Sequence, residues 1–335
     1  MRIVLFGAGA VGGHLAARLA AHGPAAGIEV AAVARGAQLE AMNQRGITLW
    51  IGEERTSAPI HATDRPETLG HQDVVLVTMK SSVLSGVAQQ LRTLIGPETT
   101  VIFAMNGIPW WYLYGLDDGG GLRPDLSHLD PGGVLERTVG LERVVGCMIN
   151  SANAIAEPGV IRNSPGTKNR FTLGEPDGTI SRRLQMISQA FERAGIPTPL
   201  TATIRVDIWD KLVRNLSTSP ICALTGEPIG VLGRHPELFA LSKGLMREGL
   251  AVCAAYGIHI DLDPERAYGA RPSSTHKSSK LQDFERDRPP EIDGLLTAVQ
   301  AFARTAGIAT PQLDAITALL IEKARRTGLY PPAVW

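Results

Sequence analysis

RIVLFGAGAVGGHLAARLAAHGPAAGIEVAAVAR, residues 2–35, decides how the first half of the chain folds. Residues 3–6 are an apolar run of strand length, and residues 7–12 are a GxGxxG turn. Helical periodicity follows to about residue 21, and a second strand over 28–34 ends at Arg35. In that order Gly7 permits the tight turn, Gly9 lets the backbone approach a pyrophosphate, and Gly12 lets the helix pack on the strand. Phosphates would then sit on the N–H groups at the helix N-terminus, so the ligand is anionic. A plain strand-to-helix turn is the alternative, and the strand–helix–strand order favours a nucleotide cradle over it. Gly7, Ala8, Gly9, Ala10, Val11 and Gly12 are the cofactor-binding candidates.

Arg35 refines the ligand. An acid at the end of the second strand would accept hydrogen bonds from a ribose 2′-hydroxyl and repel a 2′-phosphate. No Asp or Glu occurs between Val30 and Leu39. A guanidinium can instead grip the 2′-phosphate with two N–H groups, which predicts NADP(H) rather than NAD. The competing reading is a solvated loop charge.

The 335 residues suffice for two domains, and 44% hydrophobic with 20% charged side chains is an ordinary globular composition. Thirty-three basic and thirty-three acidic side chains cancel, so no global field invites nucleic acid or an anionic membrane. No run reaches the ~18 apolar residues of a membrane helix, and the start turns glycine-rich too soon for a signal peptide. The expected location is the cytoplasm. Cys147, Cys222 and Cys253 are far apart and read as buried thiols. The histidines show no HExxH or HxH spacing, so no metal site is expected.

Further along, residues 73–79 (DVVLVTM) and 100–105 (TVIFAM) read as buried parallel strands, followed by Lys80 and by Asn106-Gly107. Ligands of open α/β sheets lie beyond the carboxyl ends of the strands, which predicts one crevice lined by Gly7, Arg35, Lys80 and Asn106. Each alone could be a cap or turn residue. Residues 109–137 read as a long loop carrying Asp117-Asp118-Gly119-Gly120-Gly121 and Asp130-Pro131-Gly132-Gly133. It opens with Trp110-Trp111-Tyr112-Leu113-Tyr114, which reads equally as a pocket wall or lid and as the contact of a homodimer.

Strand-like pieces return at 144–152, 159–162 and 170–173, then a helix over 180–194 with Gly195, Pro197 and Pro199 beyond it. That proline pair divides the chain into residues 1–200, a doubly wound α/β sheet, and residues 201–335, an all-helical domain. Helices are predicted over 203–218, 236–256, 291–306 and 311–326. In the third, Ile292, Leu295, Leu296, Val299 and Phe302 form a core-facing stripe.

Within 204–220, Lys211, Asn215 and Ser219 are spaced by four and project from about one face, with Ile208, Leu212 and Leu216 beside them. An ammonium, a carboxamide and a hydroxyl together suit a small oxygen-rich substrate. Periodicity alone favours a solvated face.

At this point the chain resembles the ketopantoate reductase family, the NADPH-dependent 2-dehydropantoate 2-reductases. The resemblance rests on GAGAVGG at 7–13, Lys80 after VLVTM, Asn106-Gly107, Pro158-Gly159-Val160, Trp209-Asp210-Lys211-Leu212 with Asn215, and Ser279-Lys280-Leu281-Gln282-Asp283 followed by Glu291-Ile292-Asp293. It covers nearly the whole chain and is weakest over 109–137. It implies an N-terminal Rossmann-type doubly wound sheet followed by an all-helical C-terminal domain, an active site in the cleft between them, and reduction of 2-dehydropantoate to pantoate, a step of pantothenate biosynthesis.

By the same resemblance Lys211 is the general acid and Glu291 an active-site carboxylate that also touches the cofactor. Asn106 meets cofactor and substrate, Ala152 offers a backbone contact to the cofactor, and Asn215, Ser219 and Ser279 bind substrate. Lysine ordinarily titrates near 10.4, so such a donor arrives charged at neutral pH. Glu291 alone also reads as a helix-start acid, favoured there by the macrodipole. Ser219 stands where the family usually has asparagine, and Ile229 falls near another polar position. Those departures and the Trp110-Trp111 cluster leave open a related hydroxy acid dehydrogenase or imine reductase; a non-catalytic NADP-binding sensor is a third reading, against which the intact Lys211 argues.

Overall fold

The computed structural model describes residues 1–116, 121–164, 166–265 and 274–332. Asp117, Asp118, Gly119 and Gly120 of the long glycine-rich stretch lie outside the described residues. The chain divides into two compact units, one of residues 1–105, 111–116 and 130–204, the other of 106–110, 117–129 and 205–335. Residues 1–200 read as one domain in the sequence, and the grouping of 106–110 and 117–129 with the second unit is not visible in periodicity.

The first unit holds eleven strands among its described residues: β1 (Arg2–Phe6), β2 (Glu29–Val33), β3 (Ile47–Ile51), β4 (Glu54–Ala58), β5 (His61–Thr63), β6 (Gln72–Val77), β7 (Ile95–Ala104), β8 (Val144–Asn150), β9 (Asn153–Glu157), β10 (Val160–Asn163) and β11 (Arg170–Gly174). Its helices are α1 (Ala10–His22), α2 (Gly36–Arg45), α3 (Ser81–Leu84), α4 (Ala88–Arg92), α5 (Val134–Val139) and α6 (Arg182–Arg193). Seven strands form one sheet in the order β11-β8-β7-β6-β1-β2-β5, parallel except where β11 runs against β8. The central strands are buried on both faces, which is why they read as unbroken apolar runs.

A second sheet, β4-β3-β10-β9, packs on α1, which also meets β1 and β2. Sequence reading saw only β10 of it. Gly13 makes the approach possible, since a Cβ there would lie 2.6 Å from Ile161 Cδ1.

The aromatic segment is partly core. Trp111 and Tyr112 are each 2% exposed, and Trp111 covers Gly146, where a Cβ would stand 2.7 Å from its ring. Both side chains are therefore buried within the chain, and Trp111 packs inside the first unit. The expected loop also contains α5, whose first N–H groups are held by the Asp130 carboxylate.

The second unit is helical: α7 (Ile204–Thr225), whose first residue still groups with the first unit, α8 (Ile229–Leu232), α9 (Pro236–Ala255), α10 (Ser279–Phe284), a π-helical turn (Asp293–Thr297), α11 (Ala298–Ala306) and α12 (Pro311–Arg326). The predicted stripe Ile292, Leu295, Leu296, Val299 and Phe302 is buried throughout. Trp209 meets Phe302 edge to face at 5.3 Å, which fixes the roll of α7. α7 runs seven residues past the predicted end at 218, continuing through Pro220. Buried Ile221, Cys222 and Ala223 favour that last turn, and Lys323 donates to the Ala223 carbonyl. No described helix is long and apolar enough to cross a membrane.

Candidate active site

The glycine turn of the first unit has the geometry of a phosphate cradle. Gly7 takes φ +109°, and a Cβ on it would stand 2.6 Å from Met79 Cγ. A Cβ on Gly12 would collide with Gly7 O and Thr78 Oγ1, two atoms already joined by a 2.5 Å hydrogen bond. Around Gly9, by contrast, a Cβ would meet nothing within 4 Å. Two glycines are thus required by the protein's own packing, while Gly9 faces open space at the N-terminus of α1. The leading N–H groups of a helix have no intrahelical acceptor, so a diphosphate fits there.

Gly7, Arg35 and Lys80 follow the carboxyl ends of β1, β2 and β6, which lie side by side in the order β6-β1-β2. Arg35 is exposed and gives an Nη2 hydrogen bond to Gln90 Oε1 at 2.8 Å, which holds the guanidinium at the strand end. Ala152 offers its carbonyl to Ser164 N at 2.8 Å and to Asn163 Nδ2 at 3.0 Å. Asn106 follows β7 but groups with the second unit.

There it joins the predicted acid and carboxylate. Lys211 Nζ donates to Asn106 Oδ1 at 2.7 Å, and Asn106 Nδ2 donates to Glu291 Oε2 at 3.2 Å. The carboxamide is used at both ends. Its oxygen can face the ammonium only while its nitrogen faces the carboxylate, so Glu291 fixes the orientation that Lys211 needs. Glu291 is buried, accepts from Asn106 and stands two residues before the π-helical turn.

Asn215 and Ser219 follow Lys211 along α7. The Ser219 hydroxyl is buried and has no hydrogen-bond partner among the described residues. Ser279 is exposed at the start of α10. Its neighbour Ser278, which sequence reading passed over, caps that helix by accepting from Leu281 N and donates to Ser219 O at 3.4 Å. A Ser before a helical stretch is a capping signal, so Ser278 was open to recognition. Ile229 begins α8 and gives its N–H to His276 O.

Such a set can do one thing well. A lysine ammonium oriented by an amide and a buried carboxylate can stabilise negative charge on a nearby oxygen and can pass it a proton.

Residues 3–109 match the family model described as Ketopantoate reductase PanE/ApbA, and residues 192–324 its C-terminal counterpart. A 2-dehydropantoate 2-reductase from Mesorhizobium japonicum is 39% identical over 98% of this chain and 100% of its own length. A solved structure from Ralstonia solanacearum MolK2, described as a candidate ketopantoate reductase, aligns with a TM-score of 0.88 at 36% identity, covering 98% of this chain and 99% of that one. A D-mandelate dehydrogenase solved with NADH and anilino(oxo)acetate shares the fold, with a TM-score of 0.80 at 18% identity over 98% of this chain and 100% of its own.

Proposed function

The chain belongs to the ketopantoate reductase family of oxidoreductases, which reduce 2-oxo acids with a nicotinamide cofactor, and on that premise we propose that it reduces 2-dehydropantoate to pantoate with NADPH and Lys211 as proton donor. The observation that carries this reading is the hydrogen-bonded series Lys211, Asn106, Glu291.

The bound cofactor supplies hydride to the carbonyl carbon. As charge moves onto the carbonyl oxygen, Lys211 stabilises it and releases one proton to it, to be reloaded from solvent. Asn106 and Glu291 keep the amine aimed, and Asn215 and Ser279 are assigned to the substrate carboxylate and hydroxyl groups. In the cradle, Gly7, Ala8, Gly9, Ala10, Val11 and Gly12 hold the diphosphate, Lys80 and Ala152 contact the cofactor, and Arg35 pairs with the 2′-phosphate.

The Ser219 hydroxyl, without a hydrogen-bond partner among the described residues, supports a second reading. Serine stands at that position where the family usually has asparagine, so the reaction class is less sensitive to it than the substrate is. Following absorbance at 340 nm with NADPH or NADH, 2-dehydropantoate and a panel of 2-oxo acids tests both readings. Rapid NADPH oxidation with 2-dehydropantoate is expected. Oxidation only with other oxo acids supports the second reading, and tight cofactor binding without turnover overturns both in favour of a sensor.

A further inference from the structure

The residues that hold Asn106 in place extend to the end of the described chain. Ile108 N donates to Gly294 O at 2.7 Å, two residues after Asn106 and three after Glu291. Gly107 between them has φ +79°, and a Cβ on it would collide with Gly294 O and stand 2.6 Å from Gly294 C. A Cβ on Gly294 would in turn lie 3.1 Å from Ile108 O. Loop 106–108 and the turn Asp293–Thr297 therefore touch backbone to backbone at Gly107 and Gly294. Displacing one displaces the other.

That turn is π-helical, a wider and less stable winding than an α-helix. It is secured at its first residue. Asp293 Oδ1 accepts from Tyr330 OH at 2.6 Å and from Thr297 Oγ1 at 3.3 Å. Tyr330 lies beyond α12, where Leu329 N bonds Ala324 O at 2.7 Å. Arg325 donates to Pro331 O at 3.0 Å with its guanidinium 5.8 Å from the Tyr330 ring centroid. Burial first, then the hydrogen bond and charge of Asp293, push the phenol above its ordinary range, so it stays a donor.

We propose that Tyr330 and Asp293 are positioning residues, a clasp that seats the π-helical turn and through Gly294 sets the placement of Asn106 between Lys211 and Glu291. This rests on the function proposed above. Neither side chain has to meet substrate or cofactor. A merely structural clasp would lower stability and leave the turnover of the folded enzyme unchanged.

The test compares full-length Tyr330→Phe, Asp293→Ala and Asp293→Asn with the wild type. Tyr330→Phe removes only the hydroxyl, and Asp293→Asn keeps an oxygen to accept it. For the loss of one charge-assisted hydrogen bond, kcat is expected to fall about tenfold in Tyr330→Phe and Asp293→Ala, with the Kd for NADPH unchanged. Asp293→Asn should stay within about twofold of wild type. Amide hydrogen exchange at Ile108 should quicken in Tyr330→Phe, and this readout does not depend on turnover. If the wild type reduces no 2-oxo acid, the functional reading fails while exchange at Ile108 still decides whether the clasp seats the loop. Wild-type kcat in a folded Tyr330→Phe, or unchanged exchange at Ile108, overturns the proposal.

Discussion

Arg35 and Lys211 are both cations, and their surroundings give them different duties. Arg35 stands exposed at the end of β2, steadied by a bond to Gln90, where it can meet an anion. Lys211 is tied through Asn106 to a buried carboxylate, which aims it. If Arg35 reads the 2′-phosphate, Arg35→Gln weakens NADPH about tenfold to a hundredfold and leaves NADH nearly untouched. Fluorescence titration of the two cofactors checks this. An equal loss for both would mean that residue 35 does not distinguish them.

At the scale of elements, the join of β1 to α1 separates glycines required by packing from Gly9, which faces open space. Gly12→Ala drives a methyl group into the Gly7 carbonyl and should both destabilise the first unit and weaken cofactor binding. Gly9→Ala adds a methyl group in open space, so unfolding should change by less than about 1 kcal/mol while NADPH affinity drops. Thermal unfolding with and without NADPH separates the two effects. Strong NADPH binding by Gly9→Ala would deny that the diphosphate rests there. This element was readable because its spacing expresses local geometry. The extension of α7 through Pro220 and the π-helical turn were not, because buried neighbours and the loop at Gly107 decide them from far away in sequence. The same limit applies to Asn106: the end of β7 could be read, but its bonds to residues 211 and 291 span over one hundred positions.

On the scale of the whole molecule, the second sheet was the main feature hidden from periodicity. Its strands are short, and polar side chains inside the fold support it. His14, buried on α1, bonds Asn153 Oδ1 at 3.0 Å, and Asn153, Asn163, Asn169 and Ser151 continue the network. Burial lowers the His14 pKa to about 4. The unfolded chain therefore takes up this proton near 6.5, before the folded one does, so stability is full above that pH and declines as pH falls towards 4. The contribution is roughly 3 kcal/mol at most. Denaturant midpoints should drop between about pH 7.5 and pH 5, with His14→Gln flattening the slope. A variant as pH-sensitive as the wild type would place the dependence elsewhere.

Chemistry and fold meet at one amine, and single-turnover kinetics of Lys211→Ala interrogates it most directly. With Lys211 as proton donor, the variant binds NADPH as tightly as the wild type and transfers hydride to a 2-oxo acid about 10²- to 10⁴-fold more slowly, the usual worth of a general acid. Transfer at the wild-type rate in that variant would contradict that role.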